Sequence, residues 1–157
     1  MKYIKLIFLL ALLGHTSGVS AQRRAAKPVV AKYKPPKLFT SIGEYKDTMT
    51  VPAKDAANVI GLPLKITDLK NNVYTISSYN FVYRQVVVTE DESYGGKPSL
   101  TTTIKSSLFK TTPLPAIWLN AVRESPHPGE EYIFFDVIAR DAQGRVMYAP
   151  NLKLILK

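Results

Sequence analysis

The chain contains no cysteine. Disulfides, thiolate metal centres and a lipoprotein anchor are thereby excluded. Histidine is almost as scarce, with only His15 and His127 in 157 residues. Long apolar runs are missing too. The one conspicuous run, Leu6-Ile7-Phe8-Leu9-Leu10-Ala11-Leu12-Leu13, is far too short to cross a bilayer as a helix, and no second run approaches membrane length. Without disulfides the fold must rest on its apolar core, and the chain is long enough to bury one.

The short run has the form of an export signal. Lys2 and Lys5 precede it, and Val19-Ser20-Ala21 follows with small residues at the third-last and last positions before a cut. Residues 1–21 are therefore read as a signal peptide cleaved before Gln22. The expected location is the periplasm, with no transmembrane segment left after cleavage.

Charge is unevenly spread. The formal net charge is +9, yet all 12 acidic residues fall between Leu38 and Lys157, which leaves that part close to neutral. Residues 22–37, "QRRAAKPVVAKYKPPK", carry Arg23, Arg24, Lys27, Lys32, Lys34 and Lys37 with no acid, three prolines and no hydrophobic period. Such a segment reads as an extended or disordered arm. It serves either as a solvated linker or as a binder of an anionic envelope surface such as lipid phosphates, where each basic residue contributes about 1 kcal/mol. Nucleic acid is not an expected partner, because an exported chain leaves the cytoplasm and the body lacks a basic face interleaved with aromatics.

Residues 38–157 read as one mainly β domain. Leu38 to Thr50 looks irregular or weakly extended, and Pro52 and Gly61 bracket a short helix near 53–60. "LPLKITDL" alternates apolar and polar residues, and Asn71-Asn72 turns the chain into "VYTISSYNFVYRQVVVTE", a long or bulged central strand. After the acidic loop "DESYGGKPS", the strand "LTTTIKSSLF" places Leu100, Thr102, Ile104, Ser106 and Leu108 on one side. "TTPLPAIWLNAV" predicts a second short helix, capped near Thr112, whose Ile117, Trp118 and Val122 cover a sheet face. The expected architecture is β-sandwich-like, with one or two short helices.

The clearest local signal is "EEYIFFDVIARDAQGRVMYAP", residues 130–150. Ile133, Phe135, Val137 and Ala139 fall at alternate positions and predict one fully apolar face, with Phe135 in the core. Asp141-Ala142-Gln143-Gly144 reads as a turn, Asp141 accepting backbone hydrogen bonds and Gly144 taking positive φ. Pro150 should sit at an edge or break the returning segment in two.

Little here points to catalysis. With His15 in the export signal, a serine–histidine–carboxylate triad would need His127, which sits between two prolines in "SPHPGEE", and no serine has a GxSxG context. A small hydrolase is accordingly the weakest reading, and no catalytic residue, cofactor or metal is assigned. Glu90-Asp91-Glu92 lacks calcium-loop spacing and reads as a solvated loop. Glu130-Glu131 reads as a polar lead-in to the hairpin, not half of a glycosidase pair. Tyr74, Tyr79, Phe81, Tyr83 and Trp118 read as core or half-core residues.

"PGEEYIFFDVIARDAQGRVMYAPNLKLILK" resembles the C-terminal end of the GldM family, gliding-motility proteins of the type IX secretion system. The likeness lies in the proline–glycine lead-in, the "YIFFDVIA" strand, the acidic turn ending in Gly144, and the apolar terminal strand ending in lysine. "YTISSYNFVYRQVV" is similar to an upstream strand of that family. The resemblance spans about Tyr74 to Lys157. It implies a periplasmic, non-catalytic interaction or scaffold domain that meets envelope proteins at the outer membrane. The family's membrane anchor and long stalk have no counterpart here, so motor coupling is not implied. The alternative reading is an envelope-surface binder acting through the basic arm.

Overall fold

The computed structural model describes residues 33–91, 97–124 and 126–157. The chain divides near Tyr33 into two units, and the architecture below is that of Lys34–Lys157. Its strands are β1 (Leu38–Ile42), β2 (Tyr45–Lys46), β3 (Thr48–Val51), β4 (Leu64–Asp68), β5 (Val73–Asp91), β6 (Lys97–Phe109), β7 (Glu131–Arg140), β8 (Val146–Ala149) and β9 (Leu152–Leu156). A single 3-10 turn, Ala53–Asp55, leads into helix α1 (Ala56–Ile60), and α2 spans Ala116–Arg123.

These strands do not form two stacked sheets, and the expected sandwich is corrected to a nearly closed barrel of seven strands. Around the barrel the order is β2-β1-β4-β5-β7-β9-β3, with β6 paired to β5 and β8 to β7 outside that circuit. The two ends of the order, β2 and β3, are separated in the chain by Asp47 alone, whose φ of +57° makes the corner. Asp47 C=O accepts the Lys153 N–H at 2.7 Å, and the Thr40 hydroxyl donates to the Pro150 carbonyl. β3 then runs parallel to β9. Alternating inward and outward residues are common to sandwiches and barrels. Here closure depends on β1–β3, three short strands in the stretch that the sequence leaves irregular.

The long central strand is present and bulged. β5 pairs with β4 through Val73 and Tyr74, with β7 from Thr75 to Arg84, and with β6 from Tyr79 to Asp91. Its register with β7 slips twice, between Ile76 and Ser78 and between Ser78 and Asn80. At the second slip Asp136 takes a φ of +49°, a conformation that aspartate tolerates better than most residues. This bulge switches the face that β7 presents to the core. Tyr132 and Phe134 are buried before it, Val137 and Ala139 after it, and Phe135 is only half-buried. Phe135 pairs with Asn80 on the outer face, so the single apolar face expected over 133–139 does not exist.

The inward positions build an aromatic core. Phe81 lies 5.0 Å from Phe134 and 5.5 Å from Trp118, the latter edge-on, while Tyr83 lies 5.2 Å from Tyr132. Tyr79, Phe81 and Tyr83 are fully buried, in line with their core reading, and Trp118 is half-buried. Val59, Ile60 and Val122 bring α1 and α2 into the same cluster. Ile117, expected to cover the sheet, is instead 76% exposed. Thr112 does not cap α2, which follows Pro115; its hydroxyl accepts the Leu64 N–H at 2.6 Å.

The β7–β8 turn is built as its residues dictate. Gly144 has a φ of +77°, and its N–H meets the Asp141 carbonyl at 3.0 Å. The Asp141 carboxylate accepts the N–H groups of Gln143 and Arg145 and pairs with the Arg145 guanidinium at 2.6 Å. Pro150 separates β8 from β9.

Candidate interaction surface

β6 pairs only with β5 among the described residues, so one full edge of a strand of 13 residues is left without a ladder. Its side chains alternate as the sequence predicts, but the apolar side faces out. Leu100, Ile104 and Leu108 are 76%, 64% and 56% exposed. Their cross-strand partners on β5 are Val88, Arg84 and Asn80. Further along the same outer face, Val82 pairs with Ile133, and Asn80 with Phe135. The result is a band of apolar side chains, interleaved with Arg84 and Asn80, that runs from the free edge of β6 across β5 to β7. Below Tyr83 the opposite face is core. Beyond it Thr101, Thr103 and Lys105 are exposed there, so the ribbon is solvated on both sides.

An ion-pair cluster punctuates that band. Glu131 accepts from Lys153 of β9 at 2.8 Å and from Arg84 of β5 at 3.3 Å. The Lys153 hydrogen bond is the main cause that holds the Glu131 carboxyl below its ordinary range. Three strands are thus tied together on the outside by one carboxylate.

Beside β6 lies an open cleft of about 360 Å³, lined by Lys105, Ser106, Ile117, Trp118 and Ala121. One wall is the strand and the other is α2. The Lys105 ammonium sits 5.9 Å from the centre of the Tyr83 ring.

Glu130 has a role that sequence reading missed. It is no exposed lead-in: its side chain is 0% exposed. One oxygen accepts the Tyr83 hydroxyl at 2.8 Å, and the other accepts the Val86 N–H at 3.3 Å and lies 3.9 Å from His127 Nδ1. Its backbone carbonyl accepts the Leu156 N–H. The carboxylate therefore ties the start of β7 to β5 as a buried, hydrogen-bonded anchor. Burial, reinforced by the nearby Glu130 charge, pushes the Tyr83 and Tyr132 phenols well above their ordinary range. The Tyr132 hydroxyl is buried without a hydrogen-bond partner among the described residues. No single sequence signal separates Glu130 from Glu131; only the register of β7 does so.

The other sequence candidates fall as follows. Arg23, Arg24, Lys27 and Lys32 lie outside the described residues, as do residues 1–21, read above as an export signal, and Glu92. Lys34 and Lys37 are exposed, and the Lys37 ammonium lies 5.6 Å from the centre of the Phe39 ring. Among the described residues no cluster of three or more histidine, aspartate or glutamate side chains is placed to hold a metal ion. No helix of the described residues is long and apolar enough to cross a membrane. A scan against models of protein families and a search of curated proteins return no match to this chain.

Proposed function

We propose that the chain is an exported, non-catalytic interaction domain that meets envelope proteins in the periplasm through the β5–β6 ribbon. The observation that carries this reading is the free edge of β6 together with the exposed Leu100, Ile104 and Leu108. Long edge strands with apolar faces pair with other chains unless they are covered or charged. Several exposed large apolar side chains grouped on one face are a mark of binding sites. The resemblance of the terminal hairpin to GldM-family domains points in the same direction, toward the outer membrane and the type IX secretion or gliding machinery.

The test replaces two exposed side chains together, Leu100→Lys and Ile104→Lys. Neither is packed, so the thermal midpoint should stay near that of the parent chain. Affinity capture from envelope extracts should lose the partners held by the parent chain. Undiminished capture by the double variant would refute the ribbon as the interaction surface.

The second reading, contact with anionic lipid through the arm, draws on the exposure of Lys34 and Lys37 where the arm enters β1. It is compatible with the first, because the arm and the ribbon are different parts of the chain.

A further inference from the structure

The cleft between β6 and α2 adds three features to the outer apolar face: a main-chain edge, an apolar floor and one lysine. The edge belongs to β6, the floor to Ile117, Trp118 and Ala121, and Lys105 stands at the wall. Lys105 is the one charged residue among those that line the cleft, and neither β6 nor α2 carries an acid, although Glu124 directly follows α2. We infer that this cleft takes up an extended, acidic segment of a partner protein as an added strand on β6. The inference rests on the interaction-domain reading above and names the chemistry of the partner.

Each part of the site restricts the occupant. A strand edge offers N–H and C=O groups in a row, and an extended backbone satisfies them most fully. Alternate side chains of an added strand fall on opposite faces. One set would lie beside Leu100, Ile104 and Leu108, where valine or isoleucine extends the apolar band. The other set would lie on the Lys105 side, where the α2 floor takes an aliphatic group and the Lys105 ammonium donates to a carboxylate.

Charge then decides between possible strands. A second copy of β6, paired antiparallel about Ile104, would set Lys105 diagonally against its counterpart, with no acid in either strand to offset it. The chain's own arm is basic throughout and meets the same repulsion. An acidic strand from another protein is attracted instead.

The test uses the purified chain, with backbone amides followed by NMR, and two short peptides, one of alternating valine and glutamate and one of alternating valine and lysine. The acidic peptide should shift the amides of Lys105 to Leu108 and of Ile117 to Ala121. Lys105→Glu should weaken it by about tenfold and transfer the preference to the lysine peptide. Ala121→Arg, which fills the cleft from α2, should abolish binding by either peptide, with thermal melting used to verify the fold. Equal binding of both peptides, or shifts away from β6 and α2, would overturn the inference. If neither peptide binds while the Leu100→Lys, Ile104→Lys variant still loses its envelope partners, strand addition fails and the interaction reading stands. If that variant also keeps its partners, both fall.

Discussion

Phe134 and Phe135 are neighbours in the chain and lie on opposite faces of the sheet. Phe134 is buried against Tyr79 and Phe81, whereas Phe135 sits on the half-covered outer face. Phe134→Ala should therefore cost about 3–5 kcal/mol, and Phe135→Ala clearly less; denaturant titration of both variants checks the order. A larger loss at Phe135 would restore the uninterrupted register that the alternation implies. That alternation could not reveal the switch, because the bulge at Asp136 leaves apolar residues at every position that either register requires. Asp68 offers a second test at this scale. Its carboxylate accepts from Lys70 N–H, from the N–H and side-chain amide of Asn72, and from the Tyr74 hydroxyl. The Asn72 side-chain bond leads the causes that lower its pKa from 3.8 to about 2. A depressed folded pKa means that the stabilisation is present above about pH 4 and is lost as pH falls through 2. The stability gap between the parent chain and Asp68→Ala should accordingly be widest near neutrality and narrow on acidification, as read from midpoints across pH.

Elements with strong local chemistry were legible in the sequence. The Asp141–Gly144 turn, the break at Pro150, the helix after Pro52 and the bulged central strand all appear where turn residues, prolines and β-branched runs place them. Gly144 has no atom within 4 Å of where a Cβ would stand, so Gly144→Val tests its φ of +77° without a steric clash. The cost of a left-handed side-chain residue is about 1–2 kcal/mol, and a β-branched one lies at or above the upper end. An unchanged denaturation midpoint would contradict the turn. Illegible elements were those defined by remote partners. β1, β2 and β3 are only two to five residues long and carry Thr, Ser and Lys among their residues, too short for a period to stand out; their strand character comes from pairing, β1 with β4, β2 with β1 and β3 with β9. The outward aim of Leu100, Ile104 and Leu108 was hidden for a related reason. The sequence shows that they share a side, while the position of β6 outside the barrel circuit decides that the side is solvated.

At the scale of the whole molecule, the barrel is a platform and the ribbon its projecting part. The core draws on β1, β3, β4, β5, β7, β8 and β9 together with α1 and α2, and the ribbon beyond Tyr83 contributes little to it. Residues 22–37 are proposed as an arm that the fold does not need. Deleting residues 22–37 should leave the thermal transition in place and reduce sedimentation with anionic lipid vesicles. That binding should fade toward physiological salt, where screening acts over about 8 Å. Loss of folding in the truncated chain would show that the arm belongs to the domain.

The interaction role proposed for β6 is tested most directly by a photo-crosslinker placed on the ribbon in living cells. Ile104→benzoylphenylalanine puts the reactive ketone on the outer face of β6, and Leu69→benzoylphenylalanine puts it at a turn after β4 that is at least as exposed. Irradiation should join the chain to a discrete envelope protein from position 104, with no adduct from position 69. No adduct from position 104, or the same adducts from both positions, would contradict an interaction surface on β6.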